Sequence, residues 1–249
     1  MAYVRAENGQ QTPAQSQSVV RHPVTEFAAT SVALAAGIVL LTMLMPAVGP
    51  VPGGVALACF ATGAMVSGRA LQRSYPHAHL GVCNAITLAR LALTMALAGP
   101  LVAGVGPSWV VFSVALVALA LDGIDGWFAR RHGNASAFGA RFDMEVDSAL
   151  ALILAISAAT TGVVGPAAIL LGVPRYLFAS GGWFFPWMRR DLPERFSRKL
   201  VCVAQLAALI ALQAPILPEA VALPLVPLVL AMIAWSFAVD LLWLWRHRR

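Results

Sequence analysis

Eleven acidic residues occur in 249 positions, and five of them, Asp122, Asp125, Asp143, Glu145 and Asp147, fall between positions 122 and 147. Asp122 and Asp125 are three residues apart, and Asp143 and Asp147 are four apart. Both spacings put two side chains on one face of a helix. The connection between the two pairs is short, so two antiparallel neighbouring helices can bring four carboxylates to one point. Four such charges repel one another and raise one another's pKa values unless cations neutralise them. An all-oxygen donor set without His or Cys selects hard divalent ions such as Mg2+ or Mn2+, and two ions match four carboxylates in charge.

The residues around the acids have chemistry of their own. Gly126 and Ala129 share the face of Asp122 and Asp125 and leave room for a molecule to approach the helix backbone. Arg130 is a permanent cation suited to a phosphate. Gly139 lies four residues before Asp143. Small residues taken singly also serve close helix packing, and two acids three apart also suit a solvated helix end. The full set is hard to explain in either way.

The elements that carry these residues are apolar. Hydrophobic residues make up 59% of the chain and charged residues 11%, against about 25% charged in a soluble domain. A chain of this size cannot hide that much apolar surface in one core, so a soluble globular fold and extensive disorder are excluded. An all-α polytopic membrane protein is expected. The apolar stretches do not alternate, which argues against an outer-membrane barrel. The net charge of +6 is expected to face anionic lipid from cytoplasmic loops rather than nucleic acid.

Residues 1–26, rich in Gln and Ser, are expected to form a disordered cytoplasmic tail without the features of a cleaved signal peptide. Eight spans are expected: 27–47, 52–70, 81–101, a fourth running from the 104–107 break to Arg130, then 143–163, 166–187, 199–213 and 220–245. The seventh is marginal in length. The loops after the first, third, fifth and seventh spans hold a single charge, Glu219, whereas the other connections and the ends hold nearly all the arginines. Positive-inside bias then places both termini on the cytoplasmic side. Cys59, Cys83 and Cys202 are expected as small buried hydrophobes, because three cysteines without a CxxC pair make neither a disulfide framework nor a zinc site.

The stretch from Asp122 to Asp147 reads DGIDGWFARRHGNASAFGARFDMEVD. It meets D-x2-D-G-x2-A-R-x8-G-x3-D-x3-D without a gap or substitution, and so resembles the signature of the CDP-alcohol phosphotransferase family. The wider resemblance runs from about Gly81 to the C-terminus as a six-helix core, leaving residues 27–80 as an accessory pair of helices. The resemblance implies that Asp122, Asp125, Asp143 and Asp147 hold two metal ions, Mg2+ or Mn2+, and that Asp147 is also the general base. It further implies that Asn84, Ala85, Ile86, Thr87, Gly126, Ala129, Arg130, Ser136 and Gly139 form the site for the CDP-linked lipid, with Gly139 at the closest approach to the cytidine. The implied donor is CDP-diacylglycerol. An acceptor hydroxyl attacks the phosphorus bearing the lipid, CMP leaves, and the site lies at the cytoplasmic face of the inner membrane in a homodimer.

The acceptor side is read from Arg175, Arg195 and Arg198. Arg175 is expected mid-way along the sixth span, where a lone arginine faces a polar cavity or a partner; an ion pair with Asp240 is the structural alternative. Glu194-Arg195-Phe196-Ser197-Arg198 has the E-R-x-x-R spacing that resembles the inositol-phosphate-binding segment of related synthases. A glycerol-phosphate-type pattern is met only at Lys199 and Gln205. Convergence of the three arginines favours an anionic or phosphorylated polyol, such as glycerol 3-phosphate or inositol phosphate; positive-inside charge explains Arg195 and Arg198 equally well. Aminoalcohol or serine acceptors, an ion-coupled transporter and an inactive lipid-binding relative are the other readings. His77 and His79 are expected as exposed loop residues. Arg90 either shapes the nucleotide site or snorkels to the interface.

Overall fold

The computed structural model describes residues 22–45, 47–132, 136–160, 164–190, 192–193 and 195–247, without the side chains of 124–132 and 189. Every regular element among them is helical: α1 (Pro23–Met43), α2 (Pro50–Ser74), α3 (Val82–Ala96), α4 (Ala98–Val102), α5 (Trp109–His132), α6 (Ala137–Thr160), α7 (Pro174–Phe184), α8 (Phe196–Ala211) and α9 (Glu219–Arg246). Two 3₁₀ turns, Pro166–Leu171 and Pro186–Arg189, flank α7.

Four stretches of the described residues are long and apolar enough to cross a bilayer: Pro23–Met43, Pro50–Ser74, Val82–Val102 and Glu219–Arg246. Val82–Val102 is α3 continued by α4. Pro100 has no N–H to give the carbonyl of Ala96, which accounts for the break between them. Large apolar side chains such as Val32, Leu40 and Met43 on α1 and Leu228 and Trp235 on α9 face outward. Such outward faces are costly in water and at home in lipid, so these helices mark an integral membrane protein.

Two segments differ from the sequence expectation. The fifth span starts at Ala137, ahead of the expected 143, because Ser136 caps the helix: its Oγ accepts the Gly139 N–H at 3.0 Å, the usual third-residue N-cap bond. The sixth, expected as one helix over 166–187, is divided. Gly172 lies between the first 3₁₀ turn and α7, pressed so close to α6 that a Cβ there would lie 2.8 Å from Leu152 Cα and 2.9 Å from Ala155 Cβ. Pro174 then starts α7 with a residue that has no N–H to donate.

The packing has two apolar centres. One joins α5, the later half of α6, α8 and α9 through residues such as Ala115, Leu154, Leu209 and Val229. The other joins α1, α2, α3 and the early half of α6 through Phe27, Phe60, Leu88, Phe138 and Phe142. The pair α1–α2, expected as accessory, therefore shares a core with α3 and α6. α6 belongs to both centres, and Asp143 and Asp147 lie on it where one gives way to the other. The three cysteines are free, as expected, but Cys202 is exposed and Cys59 and Cys83 are half-buried. Small side chains on outward helix faces need no burial when the surroundings are lipid.

Candidate active site

Asp122 on α5 and Asp143 and Asp147 on α6 bring carboxylate oxygens within 4.8 Å of one another. The i,i+4 spacing on α6 and the antiparallel neighbour α5 create this convergence. Asp125, Gly126, Ala129 and Arg130 continue α5 beyond Asp122, and their side chains lie outside the described residues. The donor set fits a hard divalent cation: its atoms are all carboxylate oxygens, and the three side chains are 29%, 37% and 31% exposed, so one side of the cluster opens outward.

On the other side stands Arg90 of α3, which is wholly buried. Its Nη1 lies 3.0 Å from Asp122 Oδ1. The same nitrogen pairs with Asp143, and Nη2 pairs with Asp147. Nε donates to the carbonyl of Ala118, one turn before Asp122, at 3.1 Å. Arg90 therefore does not snorkel to an interface. A buried guanidinium requires counter-charge, and the three carboxylates supply it. A carboxylate has two oxygens and Arg90 meets Oδ1 of each, so the same groups can serve the arginine and a cation together. Arg90 is the residue whose role the sequence left undecided. The available signal was its isolation, a lone charge inside Leu88-Ala89-Arg90-Leu91-Ala92.

Asn84, Ser136 and Gly139 also come together. A Cβ built on Gly139 would lie 3.1 Å from Asn84 Oδ1 and 3.2 Å from Ser136 Oγ. The absence of a side chain at Gly139 thus lets the start of α6 approach the start of α3. The Asn84 amide nitrogen donates to the Leu80 carbonyl at 2.7 Å and to the Tyr75 hydroxyl at 3.0 Å. Ala85 packs on the apolar centre of α1–α3, Ile86 is half-buried, and the Thr87 hydroxyl donates to the Cys83 carbonyl at 3.0 Å. Burial pushes the Tyr75 phenol above its ordinary value, so at neutral pH it keeps its proton and donates.

The basic residues form a second cluster. Asp240 of α9, its side chain 7% exposed, lies 2.9 Å from Arg195 Nη1 and 2.9 Å from Arg198 Nε. Glu194 lies outside the described residues. Arg175 stands at the start of α7 rather than mid-way along a helix, because the sixth segment is divided. It pairs with Glu145 of α6, not with Asp240. Asp240, the structural alternative for Arg175, is held instead by two other arginines. Gln205, which met the glycerol-phosphate-type pattern, donates instead to the Leu171 carbonyl that ends the first 3₁₀ turn.

Three convergent aspartates stand in front of a buried guanidinium, and their oxygens could hold a metal ion. The model of the CDP-alcohol phosphatidyltransferase family matches residues 80–240, well over half of the chain. The chain belongs to this family of membrane transferases of substituted phosphate groups, whose members take a CDP-linked alcohol and an alcohol acceptor and generally use a divalent metal. No curated protein and no solved structure gives a significant match.

Proposed function

We propose that this chain is a phosphatidyltransferase that moves the phosphatidyl group of CDP-diacylglycerol to an anionic or phosphorylated polyol, with release of CMP. The observation that carries this reading is the convergence of Asp122, Asp143 and Asp147 around the buried Arg90. In this reading Asp122, Asp125, Asp143 and Asp147 hold two Mg2+ or Mn2+ ions, which when bound neutralise the pyrophosphate and the charge developing on CMP.

The protein's own groups do the rest. Arg90 holds three carboxylates together from behind and offsets their repulsion. Asn84, Gly139, Ser136, Gly126, Ala129 and Arg130, with the Ala85–Thr87 turn, receive the nucleotide end of the donor lipid. Arg175, Arg195 and Arg198 attract the acceptor anion. The acceptor hydroxyl gives its proton to Asp147, its oxygen forms a bond to the phosphorus that bears the lipid, and the bond from that phosphorus to CMP breaks. The acyl chains remain in the bilayer throughout. The site lies at the cytoplasmic face of the inner membrane, residues from about 81 onward form a six-helix catalytic core, and the chain works as a homodimer.

The test is CMP release. Purified protein with Mg2+ and CDP-diacylglycerol is offered glycerol 3-phosphate, inositol 1-phosphate, inositol, serine and glycerol, and the lipid products are identified. The expected result is CMP and a new lipid with one of the phosphorylated polyols. Product with serine alone would reject the acceptor assignment. Absence of CMP and new lipid with every acceptor, alongside cation-coupled uptake into vesicles, would mean a transporter.

A further inference from the structure

The family match begins at residue 80, so the α1–α2 hairpin lies outside it. Yet the hairpin meets the start of α3 through a set of polar contacts. Glu26, in the first turn of α1, accepts the Leu80 N–H at 2.8 Å and lies 3.0 Å from His79 Nδ1. Tyr75, immediately after α2, donates its hydroxyl to the Leu80 carbonyl at 2.7 Å, with the His79 carbonyl a second acceptor at 3.0 Å. Leu80 is thereby held at both its N–H and its carbonyl by the hairpin. Gly81 follows with φ +75°, a backbone state that favours glycine, and turns the chain directly into α3.

Asn84 sits one turn later. Both of its amide N–H groups are used, one on the Leu80 carbonyl and one on the Tyr75 oxygen. A carbonyl can only accept, so the amide cannot reverse, and Oδ1 is directed toward Gly139 and Ser136. The ring of Tyr75 packs edge-on against Phe138 of α6 at 5.7 Å, and Phe27 of α1 packs on Phe142 at 6.3 Å. The hairpin thus braces both elements that form the Asn84–Gly139 face.

We infer that the α1–α2 hairpin is a working part of the nucleotide site, in which Tyr75 is a positioning residue that fixes the Asn84 amide with its oxygen toward the nucleotide of the donor lipid, and Glu26 secures the loop that holds both. This rests on the functional reading above, since it needs Asn84 to meet the nucleotide. Membrane anchoring alone requires apolar faces and no hydrogen-bonded link to Asn84.

The experiment compares wild type, Tyr75→Phe, Asn84→Ala, the double variant and Glu26→Ala, each as the full chain in lipid nanodiscs. CDP-diacylglycerol affinity, CMP-release kinetics and melting temperature are measured. Tyr75→Phe keeps the ring against Phe138 and removes only the hydroxyl. It is expected to weaken CDP-diacylglycerol binding and raise its KM about fivefold, the scale of one net hydrogen bond, with kcat and acceptor KM unchanged and a lowered melting temperature that leaves the chain folded at the assay temperature. Adding Tyr75→Phe to Asn84→Ala is expected to cost nothing more, since the hydroxyl acts through the amide. Glu26→Ala is expected to weaken binding in the same direction. Wild-type affinity in Tyr75→Phe, or additive losses in the double variant, would overturn the role of Tyr75. Wild-type affinity in Glu26→Ala would remove the hairpin's share. If wild type itself fails to bind CDP-diacylglycerol, the functional reading fails and this inference with it, an outcome distinct from a wild type that binds and a variant that binds equally.

Discussion

The two charged clusters are built on opposite plans. Around Arg90, among the described residues, one guanidinium pairs with three carboxylates at a site that opens outward. Around Asp240, among the described residues, one carboxylate pairs with two guanidiniums. In each, a single buried ion of the minority sign fixes the geometry of the majority sign. Full neutralisation would stabilise either cluster but remove its attraction for a ligand. In the proposed reading, partial neutralisation keeps the groups converged and leaves residual charge for ligands: cations at the first cluster, an anion at the second.

Four substitutions probe this contrast. The largest effect is expected at Asp147. Asp147→Asn keeps the shape and removes the proposed base, so CMP release should fall about 10²- to 10⁴-fold while CDP-diacylglycerol binding persists; turnover at the wild-type rate would eliminate Asp147 as the base. Next is Arg90. Arg90→Gln leaves three carboxylates without their buried counter-ion, and a loss of about 3 kcal/mol is expected, seen as a lowered melting temperature. Added Mg2+ should recover more stability in this variant than in wild type. An unchanged melting temperature without metal would break the comparison at its first half.

The third probe is Asp240→Asn, which loosens the two arginines from their common anchor. Acceptor KM should rise about tenfold, the scale of a charged hydrogen bond, while the KM for CDP-diacylglycerol stays constant. Equal rises in both would mean that the two clusters are one site. The smallest effect belongs to Arg175 and Glu145, a pair whose acid is 59% exposed. Glu145→Gln should shift stability by no more than about 0.5 kcal/mol, as exposed ion pairs do, and a larger shift in the melt would show that this pair belongs with the buried ones.

Much of the cluster was legible beforehand because helical periodicity is local. The spacings of Asp122, Asp143 and Asp147 assign each to a helix face, and the short connection between α5 and α6 makes those helices neighbours. The partners of Arg90 were not legible, because they depend on how α3 packs across α5 and α6, a relation between residues 28 to 57 positions apart. That Arg175 pairs with Glu145 was not legible for a similar reason. The apolar run through 166–187 reads as one span, and the press of Gly172 against α6, with Pro174 starting a new helix, divides it. The hairpin was set aside as accessory because its residues carry no signature. Its polar links are made by Glu26 and Tyr75, whose partners are mostly backbone groups that no side-chain pattern announces.

The order of residues alone determined that the chain is helical and lives in a membrane, and that its acids are spaced to converge, since composition and periodicity are properties of neighbouring positions. Tertiary packing decided which cation stands behind those acids, which acid gathers the arginines, and how α1 and α2 reach Asn84. Those are choices among many residues of like charge or polarity, and only proximity in space makes one pairing more stable than the rest.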